Sequence, residues 1–476
     1  MPTPAILIRR KSVIVSDRCG MAAGRCAMLR IAARVMEPRE LARKIVSRLR
    51  SGGHQAYLVG GCVRDLLLGE NPKDYDVATD ARPEQITALF PKSDLVGAHF
   101  GVVLVHESDA RVEVATFRSD HAYADGRHPV AVNFETDPRQ DVLRRDFTVN
   151  ALLLDPETNR VLDYVGGRDD LRDHIVRAIG DPERRFREDH LRMLRAVRFA
   201  ARLGYRIEPA TMQAVQRLHS LILKVSAERI RDELIRILTD GQARRGFELL
   251  DETGLLEDIL PEVAAMKGVA QPPEYHPEGD VWIHTLLLLE KMDKPGITLA
   301  LGALLHDVGK PPAFRVAERI RFDGHVEKGV EMAESILTRL RFPHDQVRQV
   351  AELVAHHMRF KDVPQMKEST LKRFLRLENF AEHLELHRLD CLSSHGNLDN
   401  YALVKHKVEE FPANELKPKP LITGADLISA GYKPGLAFSR ILATVEDAQL
   451  ESGIRTREDA MLLVRSKFQI PDGLEM

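Results

Sequence analysis

The strongest constraint on this chain is a change of period near Arg187. Upstream of it short strand-like runs alternate with helical ones, and downstream the apolar residues recur almost only at helical spacing. Such a chain is expected to fold as an α/β head, a mixed sheet with helices, followed by an all-α neck and body. In the head, Glu37 to Arg50 carries Leu41, Ile45 and Leu49 on one helical face, and Gly52-Gly53 stops it. Gln55 to Val59 reads as a strand running into Gly60-Gly61 and then the helical run Cys62 to Leu68. Tyr75 to Ala78, Gly101 to His106 and Arg111 to Phe117 read as further strands, with Pro83 to Phe90 as a helix among them. Boundaries are expected at the Pro-rich turn Ala270 to Gly279 and at Lys417 to Pro420. They divide the chain into a basic N-terminal extension or misassigned start over 1–35, a head over 36–175, a neck over 176–268, a histidine-bearing domain over 269–415 and a helical tail over 416–476.

At 476 residues the chain is long enough for several cores. Lys and Arg (69) nearly balance Asp and Glu (71), for a net charge of −2, so a nucleic acid would have to meet a local basic patch and not a uniformly basic surface. Cys19, Cys26, Cys62 and Cys391 show no zinc spacing, which fits a reducing cytoplasm. No apolar run reaches the roughly 18 residues of a membrane span.

Gly60-Gly61, between a strand and a helix, is a place where bare backbone N–H groups can meet a phosphate, although a simple tight turn reads the same way. In Lys73-Asp74-Tyr75-Asp76-Val77 the two aspartates are at i and i+2, which puts both carboxylates on one face of a strand. They repel unless a hard cation lies between them, and oxygen ligands suit Mg²⁺. An isolated pair of this kind also fits a solvated edge strand. Glu113, among the β-formers Arg111 to Phe117, offers a third carboxylate, and three are what two metal ions need to align a 3′-hydroxyl with an α-phosphate.

Five blocks occur in order: Gly60-Gly61-x-x-Arg64-Asp65, Asp74-x-Asp76, Arg144-Arg145-Asp146-Phe147-Thr148-x-Asn150-Ala151, Asp163-x-x-Gly166-Gly167-x-x-Asp170-Leu171, and Glu188-Asp189-x-x-Arg192-x-Leu194-Arg195-Ala196-x-Arg198-Phe199. In this order they resemble the class II tRNA nucleotidyltransferases and bacterial poly(A) polymerases. The resemblance implies Asp74 and Asp76 as metal ligands, Glu113 as the third carboxylate, and Gly60, Gly61, Arg64, Arg145, Arg195 and Arg198 at the nucleotide. It implies an α/β nucleotidyltransferase head that adds C, C and A to a tRNA 3′ end from CTP and ATP, or else adds poly(A). The stretch Val96 to Val103 looks more like the CCA type. Asp189 and Arg192, at i and i+3, are expected on one helical face, where the carboxylate would accept from an exocyclic amine of C or A and the guanidinium would donate to the neighbouring ring acceptor.

Downstream, His284, His306-Asp307, His325, His356-His357 and Asp390 fall at helical intervals. The pattern resembles the HD phosphohydrolases and implies a transition-metal site for Mn²⁺, Ni²⁺, Fe²⁺ or Zn²⁺ acting on RNA ends. A hydrolase with an RNA-binding head is the rival from a different class. Pro420 to Gly435 resembles the helical tail of such fusions. Its glycines could admit a phosphate, and an ordinary packing unit fits equally well.

Overall fold

In the computed structural model the described residues are 36–96, 101–123 and 129–468. The extension over 1–35 and the Gly97 to Phe100 part of the CCA-type stretch lie outside them.

The head is built on a seven-stranded sheet in the order β3-β4-β5-β2-β1-β8-β9. Its strands are β1 (Ala56–Val59), β2 (Asp76–Thr79), β3 (Ser93–Leu95), β4 (Val102–Glu107), β5 (Ala110–Thr116), β8 (Leu153–Leu154) and β9 (Val161–Leu162), and β6 (Arg118–Tyr123) and β7 (Pro129–Phe134) form a separate ribbon. Period-2 alternation sets the faces: Val112 and Val114 of β5 are buried while Arg111 and Glu113 face outward. The opening helix Pro38–Ser51 buries Leu41, Ala42, Ile45, Val46 and Leu49 in the same core as Val77, Val112 and Val114. β2 begins at Asp76, one residue later than expected, so Asp74 and Tyr75 lie in the approach to the strand.

Downstream the architecture is helical, with two small exceptions. Ile175–Val176 pairs in parallel with Arg206–Ile207, stitching the end of the head to the neck, and Arg315–Val316 pairs antiparallel with Ile320–Arg321 inside the histidine-bearing domain. One continuous core runs from the opening helix through the neck helices Arg192–Leu203, Ala227–Thr239 and Ala243–Glu252 to Val281–Glu290, Ile297–Leu305 and His344–His356. The tail helices Gly424–Ser429, Leu436–Leu450 and Arg457–Lys467 have their own cluster around Ile422, Leu427, Ile441 and Val464. They are tied back by Arg373, which pairs with Glu446 and Asp447, and by Arg376 with Glu446 at 2.8 Å. The first tail helix is closed by its own capping box between Thr423 and Asp426.

The Asp163 block is a backbone device. Its carboxylate accepts from the N–H groups of Val165, Gly166, Gly167 and Arg168 at 2.9–3.1 Å, and it holds the turn where the helix Gly167–Arg172 meets Thr148. A Cβ on Gly167 would sit 2.3 Å from the Thr148 carbonyl oxygen and 2.9 Å from its carbon. Both are backbone atoms that cannot turn aside, so Gly167→Ala should destabilise the head by roughly 1–3 kcal/mol. A lowered midpoint in urea, followed by circular dichroism, is the expected result.

Candidate active site and metal centre

Parallel pairing of β2 with β5 sets Asp76 directly opposite Glu113. Antiparallel pairing with β1 places Val59, the residue before Gly60-Gly61, opposite Asp76 on its other side. The two acids and the glycine turn thus share one end of three neighbouring strands. Gly60 has φ +80°, and a Cβ there would lie 3.6 Å from both the Asp76 carboxylate and an Arg145 nitrogen, so the turn is open where those groups converge. Burial, reinforced by Glu113 and Asp74 and opposed by Arg145, pushes the Asp76 carboxyl up to about 6. A hard cation relieves that repulsion, and an all-oxygen donor set fits one. Among the described residues, ligand atoms within 4.8 Å of one another in groups of three occur only in the histidine-bearing domain, so Asp74, Asp76 and Glu113 influence one another without closing that tightly.

Arg145 and Arg144 both grip the fully buried Asp141, at 2.9 and 2.6 Å. Arg64, 2% exposed, donates to Asn150 at 2.6 Å, pairs with Asp65 and lies 5.3 Å over the Phe199 ring. Phe199 receives two more guanidiniums, from Arg195 at 5.2 Å and Arg198 at 4.2 Å. These two do not extend an open basic face. Arg195 pairs with Asp146 at 2.5 Å and Arg198 with Glu233 at 2.5 Å, so both are neutralised at the joint between head and neck.

The expected helical pairing of Asp189 and Arg192 is corrected. Asp189 ends the helix Pro182–Glu188 in extended backbone, φ −142° and ψ 107°, and a new helix runs from Arg192 to Leu203. Its carboxylate accepts from the Leu191 N–H at 3.2 Å, a local bond that competes with helix continuation. Asp189 pairs with Arg229 at 3.0 Å, and Arg192 pairs with Glu188 at 3.0 Å and donates to the Arg144 carbonyl at 3.1 Å. The two side chains are therefore oriented by separate partners. Arg229 and Glu233, on the next helix, stand outside the motif blocks, and only helical spacing points to them in the sequence.

In the helical domain, His284 and His306 group with Asp390, and His325 and His357 group with Asp307, each set within 4.8 Å. His306, His325 and His357 each donate Nδ1–H to a backbone carbonyl, of Ala303, Phe322 and Val354, at 2.7–2.9 Å. That fixes the tautomer and leaves three buried Nε2 atoms without a hydrogen-bond partner, a donor set a transition metal fits. Asp307 lies among them, 3.2 Å from His306 and 3.7 Å from His357, and takes a 2.7 Å ion pair from Lys310. Against the cost of burial, His306 and Lys310 hold its carboxyl well below the usual carboxylate range. His284 is raised to about 9 because bonds from Asp390 and Glu278 outweigh burial. Glu278 and His276, from the Pro-rich turn, form a further group with His284 that the sequence reading did not include. His356 does not join the centre. It faces Glu352, at 3.0 Å, and the His383 ring.

Comparison with known proteins places these geometries. The Poly A polymerase head domain matches residues 56–177, the probable RNA and SrmB-binding site of polymerase A matches 204–267, and the HD domain matches 279–388. The fold and site thus define a nucleotidyltransferase-type head joined by a helical neck to an HD metal domain. The CCA-adding enzyme of Lactobacillus helveticus is 40% identical over 258 residues, 53% of this chain and 64% of that protein. Poly(A) polymerase I of Escherichia coli O6:H1 is 42% identical over 234 residues, 47% of this chain and 50% of that protein. These curated relatives are therefore matched over less than two thirds of their length. The crystal structure of the Bacillus stearothermophilus CCA-adding enzyme in complex with CTP is 27% identical with a TM-score of 0.69, covering 91% of this chain and 99% of that one. In sequence and in fold the chain is similar to the CCA-adding enzymes, and in sequence to the bacterial poly(A) polymerases. No described helix is long and apolar enough to cross a membrane.

The joint has a pH signature. Against the cost of desolvation, the Arg195 guanidinium holds the Asp146 carboxyl at about 2. A depressed native carboxylate contributes stability that is fully present above its unfolded value near ~4 and is lost as pH falls through the folded value. Asp146→Asn should therefore be destabilised most at neutral pH, and its gap to the wild type in denaturant midpoints should close between about pH 4 and about pH 2. An unchanged gap across that range would refute the ion pair's role.

Proposed function

We propose that this protein is a tRNA nucleotidyltransferase that adds C, C and A to the tRNA 3′ end from CTP and ATP without a nucleic-acid template. The observation that carries the reading is the Asp76–Glu113 register beside the open Gly60-Gly61 turn and Arg145. Asp74, Asp76 and Glu113 would hold Mg²⁺, which supplies charge neutralisation at the α-phosphate and the leaving pyrophosphate. Arg145 balances the acids, and the backbone of Gly60-Gly61 receives the triphosphate. Asp189 offers an acceptor to the exocyclic amine of C or A, so U and G, which present a carbonyl there, are refused, and Arg192 donates beside it. Each is held by its own partner, Arg229 for one and Glu188 for the other, which spares ordering entropy when the base arrives.

The near-complete overlap with a CCA-adding enzyme that was crystallised with CTP favours CCA addition. Relatives named poly(A) polymerase I at 42% identity make poly(A) addition the second reading. Sequencing the 3′ ends of a tRNA lacking CCA, after incubation with each nucleotide, separates them: growth stopping at three residues supports the first, and long A tails the second. Asp76→Ala should reduce incorporation by well over tenfold with tRNA affinity nearly unchanged, because the acids act on transition-state charge while tRNA is held elsewhere. Incorporation within tenfold of wild type, measured in single turnover, sinks the metal assignment.

The HD centre is assigned as a phosphohydrolase acting on RNA ends, with Mn²⁺, Ni²⁺, Fe²⁺ or Zn²⁺ held by His284, His306, Asp307, His325, His357 and Asp390. Such a metal supplies Lewis acidity toward a phosphate. Asp307→Ala should strip the transition metal from the purified protein and abolish hydrolysis of a 2′,3′-cyclic phosphate, and CCA addition should survive. Metal analysis and both assays on one preparation check this.

A further inference from the structure

Between Lys310 and His325, both at the HD centre, the chain leaves the helical body as a short antiparallel hairpin, Arg315–Val316 with Ile320–Arg321. Its alternation is strict. Val316 pairs with Ile320 on one side, flanked by Phe314 and Phe322; Arg315 pairs with Arg321 on the other, and Arg319 lies in the turn between the strands. Phe322 ties the hairpin to the metal centre: the Phe314 and Phe322 rings lie 5.9 Å apart, and Phe322 is 6.4 Å from the His325 ring. Lys310, whose ammonium pairs with Asp307, stands 5.4 Å over the Phe322 ring.

The basic side is unexplained by folding. Arg315 and Arg321 are direct cross-strand partners, an arrangement in which like charges destabilise a ribbon. Neither they nor Arg319 makes an ion pair or side-chain hydrogen bond among the described residues, and all three are exposed, although Glu318 and Asp323 are close in sequence. Elsewhere this protein pairs its arginines closely, as at Asp141, Asp146 and Glu233. Val316 at 71% exposure and Phe314 at 38% leave apolar surface beside the three cations. Cations that track a backbone beside apolar or aromatic surface make the combination that holds single-stranded nucleic acid.

We propose that this hairpin is the RNA-engaging element of the HD centre: it grips the backbone phosphates just upstream of an RNA 3′ terminus and delivers that terminus to the metal site. The inference rests on the phosphohydrolase reading of that centre and deepens it by naming the element that holds the RNA. A mononucleotide offers one phosphate, which the centre itself takes up, and leaves the three arginines with nothing to bind. An RNA end supplies several successive backbone charges.

The test compares wild type with the triple variant R315Q/R319Q/R321Q, both metal-loaded. The substrates are an RNA oligonucleotide ending in a 2′,3′-cyclic phosphate and a 2′,3′-cyclic mononucleotide. The variant should lose on the order of tenfold or more in kcat/KM on the RNA, with its salt dependence flattened by about 2 to 3 in log–log slope. The mononucleotide rate should stay at the wild-type level, and so should CCA addition. Equal loss on both substrates, or no loss on either, overturns the proposal. If the wild type hydrolyses neither, the phosphohydrolase reading has failed, and the hairpin is judged by a second readout: an RNA carrying 4-thiouridine at its last position is photo-crosslinked to the full chain. Adducts mapping to Phe314 to Phe322 uphold RNA engagement, and adducts confined to the neck or head refute it.

Discussion

The site at the head depends on one ionic joint. Asp146, in the turn after the helix Pro138–Leu143, holds Arg195; Arg195 and Arg198 reach Glu233 on the next neck helix; and Phe199 lies under the guanidiniums of Arg64, Arg195 and Arg198. Charges this buried are costly to desolvate and are tolerated only when each has its partner, and breaking one such pair typically costs about 3–5 kcal/mol. Apolar packing would join the two parts as firmly. The ionic joint adds direction, since fork-shaped guanidiniums fix the angle at which the neck helix meets the strand ends. Asp189 and Arg192 inherit that angle, and through it their position relative to Asp76.

The two chemical centres are kept apart by the donor atoms they are built from. The head offers carboxylate oxygens on strand ends, where hard, weakly dehydrating cations are accommodated. The HD centre offers imidazole nitrogens converging from several helices, with the carboxylates of Asp307 and Asp390 among them. His306, His325 and His357 each direct the other ring nitrogen to a backbone carbonyl, and His284 directs Nδ1 to Glu278 at 2.7 Å, so the rings are aimed before any ion binds. One chain thus carries two donor sets that select different ions from the same pool.

Legibility in the sequence followed the regularity of the backbone. Asp76 and Glu113 are legible as strand neighbours because strand period is nearly invariant and β5 obeys it from Ala110 to Thr116, whereas Asp74 falls before β2 and outside that period. Asp189 and Arg192 were misplaced because no Gly or Pro announces the break between them; it comes from a single side-chain bond at Leu191. The sequence sets His356 beside His357 as a pair, yet neighbours on a helix point about 100° apart, and only His357 faces Asp307. Glu278, six residues before His284 in a turn with no period, gave no signal at all. The hairpin at Arg315 escaped notice for a related reason: its strands are two residues long, too short for alternation to stand out against helical surroundings.

The pairing of β2 with β5 also governs when the head can work. Asp76 and Glu113 are far apart along the chain, on parallel strands with β3 and β4 made between them. Contacts of that separation form only after the intervening loop has been closed, which makes parallel pairing slow to nucleate. During synthesis the carboxylate pair therefore cannot exist until β5 has emerged and docked, and a growing chain spends that interval with no place to concentrate divalent ions. Under the proposed function, recovery of nucleotide addition after dilution from denaturant times the closure of the sheet more directly than the regain of helix does.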